Sequence, residues 1–145
     1  MQRSAILALC KVICLTAKLC TAHVPLIFAL LQRPSLDPVT KCSLVIATAD
    51  LYQRHTNIVE DRNITKLFPL MRQSKGELGH YESRVRKQAL LVIIHIVLNQ
   101  LLRIQGEIVD ILMILLDKDE GMKNQVDLFL EELNLKDENK LWNLF

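Results

Sequence analysis

The sequence predicts an all-α protein, on three observations: its composition, its helical periodicity and its self-similarity at a fixed spacing. Half of its 145 residues are hydrophobic but only 5% are aromatic, and four glycines and four prolines punctuate it. That balance suits long helices better than many short strands. Apolar residues recur at helical spacing from the start, with Ile6, Leu9, Ile13 and Ala17 on one face and Lys11 and Lys18 on the other. Four segments align without gaps from Met1, Val39, Val85 and Met122, at spacings of 38, 46 and 37 residues.

The elements follow in order. After the first helix, a second is expected over about 21–32, with Pro25 in its first turn, where a missing N–H costs nothing. Residues 33–38 stop it, and Asp37 as N-cap with Pro38 at the first helical position starts a third helix running to about Arg54. A fourth should span about 57–71, its last turn perturbed by Pro69. Residues 74–81 are polar, hold two glycines and read as an inserted loop. Further helices are expected over about 83–99, 107–116 and 120–135, with a last one opening near Asp137. Residues 141–145 are apolar with no stop signal, so the chain is expected to be one helical-repeat domain over 1–145 and a piece of a longer solenoid.

The repeat spacing brackets the roughly 40 to 47 residues of HEAT and armadillo units. The longest spacing contains the inserted loop. Within the register the third position is basic in three units (Arg3, Lys41, Lys87) and the fifth is small in three (Ala5, Ser43, Ala89). A basic side chain one turn into a helix can reach back over the inter-repeat turn. A helix pair cannot bury its apolar face by itself, so about four such units should stack into a HEAT-like α-α superhelix.

Charge is unevenly spread. Up to Gln105 there are fourteen Lys or Arg against six Asp or Glu; from Gly106 onward there are four against ten. Such asymmetry fits either a nucleic-acid face opposite a protein face or ordinary solvated helix surfaces. The apolar run over 89–97 contains His95 and is far shorter than the roughly 20 residues of a membrane span. Lys11 and Lys18 break the apolar region that a signal peptide would need. Cys10, Cys14, Cys20 and Cys42 form no CxxC pair and read as reduced intracellular thiols.

The run Val85-Arg86-Lys87-Gln88-Ala89-Leu90-Leu91-Val92-Ile93-Ile94-His95-Ile96-Val97-Leu98-Asn99, followed by Arg103-Ile104-Gln105-Gly106, resembles a signature of condensin complex subunit 1, a helix leading into a short KVKG-type turn. Leu115-Leu116-Asp117, Leu128-Phe129 with Glu131-Glu132-Leu133, and Leu7-Ala8-Leu9-Cys10-Lys11 resemble further segments of that family in the same order. The sequence departs from the family at Gln105, where Lys is usual, and in a longer loop at 75–81. The resemblance implies a HEAT scaffold that joins the kleisin and the SMC ATPase heads of condensin in mitotic chromosome condensation, in the nucleus and on chromosomes with a cytoplasmic pool. It implies that Arg103, Ile104, Gln105 and Gly106 meet an SMC head. Other readings are a HEAT adaptor or transport protein that binds peptide or protein cargo, and the equivalent subunit of condensin II.

Residue by residue, Gly106 can adopt positive φ and reverse the chain. Arg72, Lys75, Arg84, Arg86 and Lys87 flank the inserted loop and could contact DNA phosphates without sequence preference, since few aromatics accompany them; a solvated basic surface is the simpler account. Cys10, Cys14, Cys20 and His23 suggest a zinc site, but the register sets Cys10 opposite Thr48 and Ile94, which makes them small core hydrophobes. His95 is expected to be buried and bonded to a neighbouring helix. Glu131 and Glu132 are adjacent and cannot share a helix face. No phosphate loop or nucleophile elbow appears, so neither an enzyme, a cofactor nor a small-molecule substrate is expected.

Overall fold

The computed structural model describes residues 2–72, 79–99, 102 and 106–136. Helix α1 (Gln2–Ile13) buries Ile6, Cys10 and Ile13. It ends sooner than the periodicity suggested. Thr16 accepts a hydrogen bond from Leu19 N at 3.2 Å and caps a new helix, α2 (Ala17–Leu31). This corrects two expectations: Ala17 is exposed rather than part of the α1 core face, and Pro25 lies in the middle of α2 rather than in its first turn. Thr16 caps the start, and the burial of Cys20, Val24, Ile27, Phe28 and Leu31 along α2 offsets the cost of a proline inside it.

Asp37 caps α3 (Pro38–Arg54) as expected, taking Thr40 N at 2.9 Å and Thr40 Oγ1 at 2.6 Å. The expected fourth helix is shorter. Residues 56–59 form a turn in which Ile58 N and Val59 N both donate to His55 O. Then α4 (Asp61–Ile64) tightens into a 3₁₀ segment, Thr65–Met71, which contains Pro69. The poorer hydrogen bonding of a 3₁₀ turn loses little at a residue with no N–H to give. Helix α5 (Gly79–Leu98) starts four residues before the expected Ser83. Helix α6 (Ile108–Leu112) again tightens into a 3₁₀ segment, Met113–Leu116, and α7 is Glu120–Lys136. The helix expected near Asp137 and the apolar residues 141–145 lie outside the described residues.

The long first helices of each unit form one layer, with α3 packed between α1 and α5, and α5 against α7. The second elements back them: α2 lies on α1 and α3, Thr65–Met71 on α5, and Met113–Leu116 on α7. This is the all-α helical-repeat solenoid that the spacing implied. The difference between edge and centre follows from neighbours. Helix α1 buries one narrow stripe, whereas α3 buries Leu44, Val45, Ala47, Thr48, Ala49, Leu51 and Tyr52 around a wide arc. Thr48 satisfies its hydroxyl within its own helix, on Val45 O at 2.7 Å. Each fully buried Leu, Ile, Val or Phe in the continuous core contributes about 1.5–3 kcal/mol.

Candidate functional site

The first turns of α5 carry three of the five cations singled out from the sequence. On that helix Arg86 heads the stripe Ala89, Leu90, Ile93 and Val97, all buried, and it is itself only 7% exposed. A guanidinium at such a place must be hydrogen-bonded and paired. Arg86 Nε donates to Met71 O at 2.9 Å, and Nη2 is paired with Asp117 Oδ2. One side chain on α5 thus ties the end of the second unit to the end of the third.

Lys87, at the third register position, forms an ion pair with Asp119 at 3.1 Å, and Ser83 Oγ approaches the same carboxylate at 3.4 Å. The register predicted a reach back over an inter-repeat turn; Lys87 instead reaches forward, to the turn that precedes α7. Asp119 also accepts Met122 N at 3.2 Å, capping α7 from just before its first residue, and Asp119 N donates to Asp117 Oδ1 at 2.9 Å. Arg72 grips Asp110 with both Nε and Nη2, at 3.2 and 3.3 Å. Lys87's bond above all holds the Asp119 carboxyl below its ordinary range. For Asp117 burial pushes upward, but the Asp119 N–H and Arg86 outweigh it, and the carboxyl stays low.

These pairs recast the charge asymmetry. Arg72, Arg86 and Lys87 come from the basic stretch; Asp110, Asp117 and Asp119 come from the acidic one. Part of the contrast is an internal clasp between successive units. Of the cations proposed for phosphate, Arg86 is buried rather than on a solvated surface, Lys87 and Arg72 are paired, and Arg84 is exposed with no ion pair among the described residues. Lys75, Arg103, Ile104 and Gln105 lie outside the described residues. Gly106 is exposed, its φ is outside the left-handed region, and a Cβ there would meet open space. Positive φ is therefore not what this glycine supplies.

A family model described as non-SMC mitotic condensation complex subunit 1 matches residues 67–145, a stretch holding the whole clasp and the turn. The chain belongs to that family. Among curated relatives it is 28% identical over 144 residues to the condensin-1 complex subunit CAP-D2 of Arabidopsis thaliana, covering 99% of this chain and 10% of the relative. It is similar to condensin complex subunit 1 of Homo sapiens, 28% identical over 144 residues with 99% of this chain and 10% of the relative covered. The subunit of Saccharomyces cerevisiae is 27% identical over 145 residues, with 100% and 12% covered. The chain thus spans about a tenth of the length of these relatives.

Other residues singled out in this member of the condensation-complex family form no site. His95 is exposed, not buried, and its side chain lies 3.2 Å from that of Asn99, just past the end of its own helix. In α5 the buried stripe passes through Ile93, Ile96 and Val97, which leaves His95 on the outer side. Cys10 and Cys20 are buried core residues; burial pushes the Cys10 thiol up to about 11. Among the described residues no three His, Cys, Asp or Glu side chains come together to hold a metal, and no helix is long and apolar enough to cross a membrane. Tyr52, buried on α3, donates to Asp61 at 2.6 Å and fixes the turn before α4. Sequence reading missed Asp117, Asp119 and Asp110 as the carboxylates of the clasp. A signal existed: Arg86 sits in phase with the buried stripe, so a carboxylate had to meet it.

Proposed function

We propose that the chain is a non-catalytic HEAT-repeat scaffold segment of a condensin subunit, which binds the kleisin and the SMC ATPase heads and serves mitotic chromosome condensation. Its place would be the nucleus and chromosomes, with a cytoplasmic pool. The single observation that carries this reading is the similarity to condensin complex subunit 1 from one end of the chain to the other, in plant, animal and fungal relatives. The clasp supports a scaffold role physically. Ion pairs buried between units add little net stability but penalise slipped alignments, and a fixed alignment is what a platform for several partners requires.

In this reading the turn formed by Arg103, Ile104, Gln105 and Gly106 contacts an SMC head. In the assembled subunit, Arg103→Glu should lower capture by the purified head at least tenfold while leaving the melting temperature unchanged. Since open space surrounds Gly106, Gly106→Val should also act on capture rather than on folding. Full capture by both variants would remove the turn from the interface. A secondary DNA contact, indifferent to sequence, rests on Arg84, Lys75 and Arg72. Arg84→Glu should then weaken duplex binding and reduce the salt slope by about one. Arg86→Glu is unsuitable for that test, because it would set a carboxylate against Asp117.

A further inference from the structure

Residues 108–116 are apolar at every position but Asp110. A helix that is apolar all round is normally buried all round. Here only one side is. Ile108, Ile111 and Ile114 point into the core, while Val109 is 57% exposed, Met113 57% and Leu116 78%. The change from α-helical to 3₁₀ winding at Met113 keeps this outer ridge in line, because residues three apart eclipse in a 3₁₀ turn. The ridge is about 12 Å long, at about 1.5 Å per residue to Met113 and about 2.0 Å beyond.

Beside it lies a cavity of about 340 Å³ to which Met113, Leu116 and Asp110 contribute from one wall and Met71 and Arg72 from the other. Both walls belong to units the structure describes, the second and the third, so stacking of a further unit on α7 would not fill it. The ionised groups at its edge are already matched, Arg72 with Asp110 and Arg86 with Asp117. An occupant bringing a charge would meet no unmatched counter-charge among these groups. An uncharged apolar side chain needs none. Three aliphatic side chains fall well short of the roughly 800 Å² per partner of a stable interface between folded proteins, which disfavours a second copy of this chain.

We propose that this ridge and cavity form a docking groove for a short amphipathic helix of a partner protein, about two turns long, with uncharged apolar anchors at i, i+4 and i+7. The mode is helix-in-groove recognition, with one anchor seated between Met71 and Met113 and the others lying along Val109 and Leu116. None of the residues that form the groove belongs to 103–106, and its occupancy does not depend on the identity of a partner there.

The test uses the 145-residue chain and a labelled 15-residue helical peptide of Ala, Gln and Leu, with leucines at i, i+4, i+7 and i+11, against a scrambled peptide of equal composition. By fluorescence anisotropy the patterned peptide should bind at least tenfold more tightly than the scramble. Met113→Asp and, separately, Leu116→Gln should each weaken it at least tenfold, while Leu128→Asp, at an exposed position on α7, should change it less than twofold. Circular dichroism should show all three variants folded. Equal affinity for the two peptides, or indifference to Met113→Asp, overturns the proposal. So does self-association of the chain, seen in sedimentation, that Met113→Asp abolishes, since the groove would then belong to a second copy.

Discussion

The junction between the first two units and the junction that joins α5 to α7 use the same register differently. At the first, the second register position of α1 is Gln2, an exposed, uncharged side chain. At the other, the equivalent residue is Arg86, which is long enough to leave its own helix and meet Asp117, 31 positions on. The α1–α3 junction is therefore held mainly by apolar burial, helped by one crossing bond from His55 Nε2 to Cys14 O at 3.1 Å. The α5–α7 junction is held by the same kind of burial with a charged clasp built through it. One backbone repeat can thus be closed by either chemistry. The charged version specifies alignment more strongly, because an offset would strand a buried guanidinium.

The largest way to break that contrast is Asp117→Ala. It leaves Arg86 buried and uncompensated, and the expected loss is about 3–5 kcal/mol in chemical denaturation. Replacing both partners together, Arg86→Met with Asp117→Leu, should recover most of that loss. A single-variant cost below about 1 kcal/mol would mean that the clasp is as dispensable as a surface pair.

Acidification should separate the junctions next. The Asp117 carboxyl is lowered in the fold from an ordinary value of 3.8, so it contributes stability above that value and loses it as pH falls through the folded value. Melting temperatures measured from pH 6 down to pH 2 should therefore fall more steeply for the native chain than for Asp117→Ala. Parallel curves would show that the carboxylate is not coupled to folding.

Smaller effects sharpen the comparison. His55→Ala removes the crossing bond of the apolar junction and should cost about 1 kcal/mol. Lys87→Ala removes a pair whose lysine side chain is 44% exposed, and should cost no more than about 1 kcal/mol. If Lys87→Ala proved as costly as Asp117→Ala, burial would not be what distinguishes Arg86.

Much of the fold was legible. Helix identity, the order of elements and the stacking of units followed from local periodicity, and the Asp37-Pro38 start of α3 could be read from two adjacent residues. Errors gathered where two local signals competed. Pro25 suggested a helix start, but the helix begins earlier, at the Thr16 cap, and its buried face carries it through the proline; a continuous helix over 57–71 gave way to a turn and a 3₁₀ segment around Pro69. For the site, Lys87 was expected to reach back over a turn but pairs forward with Asp119, and Arg86 was read as part of a basic surface. His95 was read as buried because its neighbours are apolar, although helical phase puts it on the opposite side from Ile93 and Val97.

The sequence by itself determined that the chain is helical, that it repeats with a HEAT-like period, and that it resembles condensin complex subunit 1 along its length. Those properties reside in spacings of three to five residues and in the order of segments, which need no folded partner to be visible. Only the tertiary structure decided that Arg86 closes on Asp117 and Met71, that Lys87 meets Asp119, and that Val109, Met113 and Leu116 are left uncovered. Each of these depends on how far one unit is rotated and displaced against the next, a quantity set by packing between segments 15 or more residues apart rather than by any local pattern. The same apolar periodicity marks Ile111 and Met113 alike. Packing buried one and left the other facing solvent.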